Sequence, residues 1–328
     1  MAGNVPALPL WSLISGLLVK AGGIGKVSSA EPLFAGWFAE LLSRREPRLA
    51  RCLAIVWWKG GNQEREKPLF EQADLIAAYG STQTLERIRA NVPASTPFLP
   101  FGHKMSFSIV AHQALDSHKG WQTATAAGRD VAFYDQQGCY SPHIIFVQKG
   151  GSLSPQEFAR CLAHELNNFE HKYPRRRLSL EEAALFSQWK QEQEFTALSA
   201  AKTEVIGDEA SAWTVAYYGE QKKLKPSPLN RTIQVIAFDR LQDIISLLLP
   251  FRSLLQSVGL AAPPKELFAW SEQLGEAGVT RIAALGQMTS PEAGWHHDGR
   301  FNLADFVRMV DIEHSAESYA ERLAPYVD

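Results

Sequence analysis

The sequence predicts an α/β protein of two lobes, and three observations carry that expectation. Short apolar runs alternate with amphipathic segments through the first 115 residues. Longer helical patterns, again broken by β-branched runs, fill the rest. Over 328 residues, 45% hydrophobic and 21% charged content is ordinary for a globular chain with room for sizeable cores.

In the first part, residues 53–58 (LAIVWW), 74–79 (DLIAAY) and 107–110 read as strands. Between them, residues 32–45, 64–72 and 82–90 read as helices. Ser28 or Ser29 would cap the first helix, with Pro32 in its opening turn. Such alternation implies βαβ units and a parallel sheet covered on both faces. Residues 8–19 are apolar, but no Lys or Arg precedes them and Lys20 follows, unlike a signal peptide. They fall short of the roughly 20 apolar residues that cross a bilayer, so a buried helix is expected. In the second part, helical patterns cover residues 117–134, 155–171, 180–199 and 264–278, and strands cover 144–147, 213–217, 232–237 and 279–285.

A net charge of -2 and a pI near 6.5 exclude a global basic field for nucleic acid or an anionic membrane surface. The three cysteines, Cys52, Cys139 and Cys161, are too few for a disulfide framework and form no CxxC metal pair. They fit a reducing cytoplasm, where a thiol stays free for chemistry.

Cys139 lies in Asp135-Gln136-Gln137-Gly138-Cys139-Tyr140-Ser141-Pro142-His143, between a helical stretch and a strand. A thiol on a Gly-containing turn can present its sulfur to a cleft, with its own N–H aimed at the same point. The thiolate would attack a carbonyl and the N–H would stabilise the oxyanion. Cysteine is also among the most buried residue types, and on spacing alone the core reading wins. His143, four residues on, either tunes the thiolate or simply begins the strand.

Other signals are weaker. Gly22-Gly23-Ile24-Gly25-Lys26 fails as a phosphate loop, because Lys20 stands six before Lys26 and Val27 replaces the hydroxyl residue. His164-Glu165-Leu166-Asn167-Asn168 lacks the second His of a zinc-protease helix. His296-His297-Asp298 could bind a metal, but adjacent residues rarely aim at one ion; no metal is expected. Residues 172–177 (KYPRRR) form a solvated loop or meet phosphates. Arg231 forms either a structural ion pair or a cofactor contact.

Five segments, in order, resemble the aldehyde-dehydrogenase superfamily. They are Ala2-Gly3-Asn4-Val5-Pro6, Gly25-Lys26-Val27-Ser28-Ser29-Ala30-Glu31-Pro32, Tyr79-Gly80-Ser81-Thr82, Gly102-His103-Lys104-Met105-Ser106 and Gln137-Gly138-Cys139. Within it, Trp57-Trp58-Lys59-Gly60-Gly61, Cys139-Tyr140-Ser141-Pro142, Ser227-Pro228-Leu229-Asn230-Arg231 and Trp295-His296-His297-Asp298-Gly299-Arg300 are similar to LuxC-type acyl-CoA reductases.

The resemblance implies a Rossmann-like cofactor lobe (residues 1–115), an α/β catalytic lobe (116–290) and a C-terminal segment (291–328) packing back on the first. It implies Cys139 as nucleophile and Asn4 as its partner in the oxyanion hole. It places Lys26, Ser28, Ser29, Gly80 and Ser81 at the cofactor. NAD-selective relatives often carry Glu where this chain has Ser29, so a neutral Ser beside Lys26 favours NADPH, with NADH the alternative. Hydrolytic relatives carry a water-activating glutamate in the region that reads Phe98-Leu99-Pro100-Phe101-Gly102 here. Without that base, the acyl-enzyme should wait for hydride.

The implied activity is reduction of a fatty acyl thioester to aldehyde, as in the aldehyde supply of bioluminescence. The expected partners are a fatty acyl-CoA or an acyl-carrier or acyl-transferase protein, within a homo-oligomer or larger complex; nucleic acid and an integral membrane position are not expected. The rival readings are a CoA-acylating aldehyde dehydrogenase and a non-catalytic partner subunit. In relatives a long segment precedes the part that here begins at Met1, so the chain is expected to be a fragment or a shortened product.

Overall fold

The computed structural model describes residues 1, 3–5, 7–200, 202–221 and 223–325. Ala2 and Pro6 of the asparagine segment, and residues 326–328 of the C-terminal segment, lie outside them. Strands are β1 Gly23–Lys26, β2 Leu53–Val56, β3 Ile76–Tyr79, β4 Phe98–Phe101, β5 Met105–Val110, β6 Pro142–Gln148, β7 Thr203–Ile206, β8 Thr214–Tyr218, β9 Thr232–Phe238, β10 Leu255–Ala261 and β11 Arg281–Ala284. Helices are α1 Leu8–Leu18, α2 Phe34–Arg45, α3 Pro47–Ala50, α4 Gln63–Gln72, α5 Thr82–Asn91, α6 Gly120–Ala132, α7 Pro155–Lys172, α8 Leu180–Ser199, α9 Leu241–Leu248, α10 Pro264–Ala277 and α11 His314–Leu323.

A seven-stranded sheet of order β11-β10-β5-β6-β9-β8-β7 forms the larger body. Its pairs are parallel except β7–β8, which is antiparallel. Alternating residues feed two cores. Ile144 and Phe146 face one with Phe107, Ile109, Ile236 and Ile244; Ile145 and Val147 face the other with Val110, Val235, Phe158 and Leu162. Helices α9 and α10 cover the first face, and α6 and α7 the second, so the central strands are buried on both sides as parallel strands require.

The first part differs from the sequence expectation. Its strands form two separate parallel pairs, β1–β2 and β3–β4, rather than one sheet. Their core is small, built on Leu13, Val27 and Ala35. The run containing residues 107–110, read with the first part, is β5 in the middle of the large sheet. Its six consecutive buried residues need helices on both faces, so a boundary after residue 115 cuts off a strand of the larger body. The segment 8–19 does form a helix, but only one side is covered: Leu13 is buried while Leu18 is 66% exposed. Neither Ser28 nor Ser29 caps α2; the Glu31 carboxylate accepts from the Leu33 and Phe34 N–H groups instead, at 3.2 and 2.8 Å.

Strands β1, β4, β7 and β10 and helices α3, α9 and α11 were not expected. Residues 22–26, weighed as a phosphate loop and, at Gly25 and Lys26, as part of a cofactor segment, contain a strand paired to β2. The C-terminal segment reaches the first part: Trp295 packs on Trp11 at 4.6 Å, His297 on Phe101 at 5.0 Å, and Arg308 pairs with Asp74 at 3.6 Å. Among the described residues, no helix is long and apolar enough to cross a membrane.

Candidate active site

Cys139 sits on the connection from α6 to β6, and the backbone there is unusual. Tyr134, Asp135 and Gln136 all have positive φ, at 54°, 50° and 63°. Facing them, Leu229, Asn230 and Arg231 do the same, at 67°, 57° and 65°. Each such L-residue costs about 1–2 kcal/mol, so two runs of three persist only where their surroundings enforce them.

The enforcement is a buried polar network. Gln136, fully buried, donates from Nε2 to the Pro142 and Thr232 carbonyls at 2.6 and 2.9 Å, and its Oε1 accepts from Thr232 N–H at 3.1 Å. Arg231, 3% exposed, pairs with Asp135 at 2.8 Å and Glu170 at 2.7 Å, and donates to the Tyr173 carbonyl at 2.8 Å. The Asn230 N–H donates to the Asp135 carbonyl at 3.1 Å, and Gln137 Nε2 to Asn230 Oδ1 at 3.0 Å. Arg231 is thus a structural ion pair, the first of its two sequence readings. The basic run serves the same brace: Arg175 donates to the Asn230 carbonyl at 3.1 Å, and Arg176 pairs with Glu182.

This brace delivers Gln137-Gly138-Cys139 into a polar corner. The Ser106 hydroxyl of β5 donates to the Cys139 carbonyl at 2.7 Å, and Ser141 N–H closes a turn on the Gly138 carbonyl at 2.9 Å. Asn4 arrives from far away in sequence and donates from Nδ2 to the Gln137 carbonyl at 2.7 Å. Cys139 is partly exposed rather than sealed in the core. Burial pushes its thiol up to about 11; the negative charge of Asp298 adds to the rise, while the Gln256 amide and Arg281 oppose it. His143 is the second residue of β6, and burial pulls it down to about 4. It is therefore neutral near pH 7 and offers the thiolate no positive charge.

Asp298 and Gln256 were not singled out by sequence reasoning for this corner. The missing carboxylate of residues 98–102 does not leave the thiol without one, because Asp298 stands beside it, bonded to Gln256 Nε2 at 2.5 Å. Residues 296–298 point apart: His296 meets Phe301 edge-to-face, His297 lies between Phe101 and Tyr140, and Asp298 faces Gln256. Among the described residues, no cluster of three or more His, Cys, Asp or Glu side chains could hold a metal.

The remaining sequence-derived residues lie at strand ends. Lys26 ends β1, with its ammonium 5.9 Å from the centre of the Trp58 ring and no ion-pair partner among the described residues. Ser29 is exposed, its hydroxyl accepting from Trp57 Nε1 at 3.2 Å, and Ser28 Oγ accepts from Ala30 N–H at 3.2 Å. Gly3 lets the Asn4 segment approach Ser28, since a Cβ there would stand 2.5 Å from Ser28 Oγ. Gly80 and Ser81 follow β3, and Ser81 caps α5, accepting from Thr84 N–H at 3.3 Å. Tyr79, just before them, stacks on Phe101 at 4.6 Å and lies close enough to Cys139 for the two to interact electrostatically. The structure therefore joins Asn4 to the Cys139 turn and Gly3 to Ser28; among the described residues no hydrogen bond links Lys26 to Gly80 or Ser81. An unpaired lysine at one strand end and a capped helix N-terminus at another suit a phosphorylated nucleotide.

The model of the acyl-CoA reductase (LuxC) family matches residues 1–309. Among curated proteins, the chain is similar to a long-chain acyl-protein thioester reductase of Photorhabdus luminescens, 28% identical over 100% of this chain and 66% of the relative. The namesake from Photorhabdus laumondii is 26% identical over 100% and 66%, and that of Vibrio harveyi 25% over 95% and 63%. The chain thus spans just under two thirds of these relatives' length. Among solved structures, an indole-3-acetaldehyde dehydrogenase of P. syringae, solved with NAD+, aligns with TM-score 0.69 at 12% identity, over 92% of this chain and 65% of that one. Lactaldehyde dehydrogenase from Escherichia coli aligns with TM-score 0.63 at 14% identity, over 91% and 65%. The fold is that of aldehyde dehydrogenases, and the chain belongs to the acyl-CoA reductase (LuxC) family.

Proposed function

We propose that this chain reduces a fatty acyl thioester, carried on CoA or on a protein, to the aldehyde through an acyl group held on Cys139. The observation that carries the reading is the placing of Cys139, a residue of intermediate exposure, on a braced turn to which the Asn4 amide is joined. Deprotonated Cys139 attacks the thioester carbonyl carbon. Its own N–H and the Asn4 side chain serve the oxyanion, and the carrier departs as its thiolate, which takes a proton from water to become the free thiol. Lys26, Ser28, Ser29, Gly80 and Ser81 hold a nicotinamide dinucleotide, which when bound supplies hydride. The neutral Ser29 and unpaired Lys26 favour the 2′-phosphate of NADPH, with NADH the second choice. Cys139 leaves as thiolate when the aldehyde forms.

The test is aldehyde and free thiol release by the purified chain with a long-chain acyl-CoA and NADPH, beside Cys139→Ser. Both products should form in the parent and neither in the variant. Equal rates in the two would overturn the proposal.

A further inference from the structure

Two charged side chains meet at one turn behind Tyr140, and the chemistry proposed above uses neither. Asp130, in the last turn of α6, is fully buried, and its two oxygens accept from the Gly286 and Met288 N–H groups at 2.6 and 3.0 Å. Arg281 opens β11 and reaches the same turn. Its Nη1 donates to the Met288 carbonyl at 2.8 Å and to Ser257 Oγ at 3.0 Å, and its Nη2 to the Gln287 carbonyl at 3.4 Å. The peptide between Gln287 and Met288 therefore carries the anion on its N–H and the cation on its carbonyl, and each charge strengthens the other's hydrogen bond.

This turn has little slack. Gly286 has φ 85°, and a Cβ there would stand 2.9 Å from that of Ala126 on α6. Met288 is fully buried, and Ser108 Oγ donates to its sulfur at 3.3 Å. What the turn holds in place is a guanidinium 4.6 Å from the centre of the Tyr140 ring. Tyr140 follows Cys139, is 8% exposed, and its hydroxyl accepts from Trp295 Nε1 at 2.8 Å. The ring beside the proposed nucleophile is thus held on its face by Arg281 and at its tip by Trp295.

A carboxylate suits the turn because it offers two acceptor oxygens where an amide offers one. Burial pushes the Asp130 carboxyl up to about 7, opposed by its two N–H bonds and by the charges of Arg129 and Arg281. Arg281 in turn feels the charges of Tyr140, Asp130, Cys139 and Glu292.

We propose that Asp130 is a positioning residue: through the turn at residues 286–288 it holds Arg281 on the face of Tyr140, and so keeps a positive charge beside the Cys139 turn. The catalytic value of the role rests on the acyl-enzyme reading, but the charge beside the sulfur can be read without any acyl substrate.

The experiment compares alkylation of Cys139 by iodoacetate and by iodoacetamide on the full chain, at about pH 9, where Asp130 is ionised. Only one reagent is charged, so the ratio of their rates cancels the thiolate fraction and reports the field at the sulfur. Peptide mass spectrometry separates Cys139 from the free thiols Cys52 and Cys161, and the exposed Cys52 is the reference. Arg281→Met removes the cation and should lower the iodoacetate-to-iodoacetamide ratio at Cys139 roughly threefold. Asp130→Asn should lower it too, because the turn loses an acceptor and releases Arg281, and should lower it no further in the Arg281→Met background. Removing the Asp130 charge without moving Arg281 would raise the ratio instead. An unchanged or raised ratio in Asp130→Asn, or a further fall in the double variant, overturns the proposal. Should Asp130→Asn fail to fold, Gly286→Ala displaces the same turn with every charge kept, and an unchanged ratio there overturns it. If the ratio falls as expected but the parent chain never takes an acyl group, the positioning role stands and the acyl-enzyme reading fails.

Discussion

The Cys139 turn and the segments bearing Lys26, Ser28, Ser29, Gly80 and Ser81 are held by different means. The turn is fixed by side chains distant in sequence: Gln136 bridges to Thr232, Arg231 to Asp135 and Glu170, and Asn4 to Gln137. It stands against a seven-stranded sheet with cores on both faces. The segments proposed to hold the cofactor have lighter ties, namely two-stranded pairings of four-residue strands, one helix cap, and the Trp57 indole on Ser29. The proposed nucleophile is therefore placed before any ligand arrives, while the proposed nucleotide side, resting on two-stranded pairs and a small core, has more freedom to adjust.

Breaking the brace should have the largest effect. Arg231→Leu leaves Asp135 and Glu170 without their buried cation and should cost about 3–5 kcal/mol, read as a lower urea midpoint. Gln136→Leu strands the Thr232 N–H and two carbonyls, and should cost roughly 1–3 kcal/mol by the same measurement, with slower alkylation of Cys139 as the turn loosens. If either variant keeps parental stability, the turn is not held as described.

The pH dependence of the thiol sharpens the same contrast. With Cys139 raised to about 11, the neutral thiol dominates below that value and the thiolate fraction grows as pH rises. Its alkylation should quicken about tenfold per pH unit, without levelling off until pH nears the thiol's own value. A plateau near neutral pH would contradict the electrostatics of this corner. The smallest effect belongs to the local device: Ser81→Ala removes the α5 cap and should cost about 1 kcal/mol, with weaker nucleotide binding by titration calorimetry.

The legible parts of the fold are those where chemistry repeats along the chain. The β-branched runs 144–147 and 232–237 predicted β6 and β9, and the helical pattern over 180–199 predicted α8. Strand β10 was hidden because Gln256, Ser257 and Gly259 interrupt its apolar pattern; Gly259 is there because a Cβ would stand 2.5 Å from Met288 Sδ. The brief β1, with two glycines in four residues, looked like a loop. At the site, resemblance to a family singled out Cys139 and Asn4, whereas Gln136 with Thr232 and Gln256 with Asp298 could not be read, because partners 96 and 42 residues apart leave no local pattern.

The most direct measurement is the mass of the full chain after incubation with a long-chain acyl-CoA in the absence of reduced nicotinamide. The predicted result is one added acyl group, located by peptide mapping on Cys139, released by hydroxylamine and absent from Cys139→Ser. Acyl groups on Cys52 or Cys161 with Cys139 unmodified, or no adduct at all, would contradict the account.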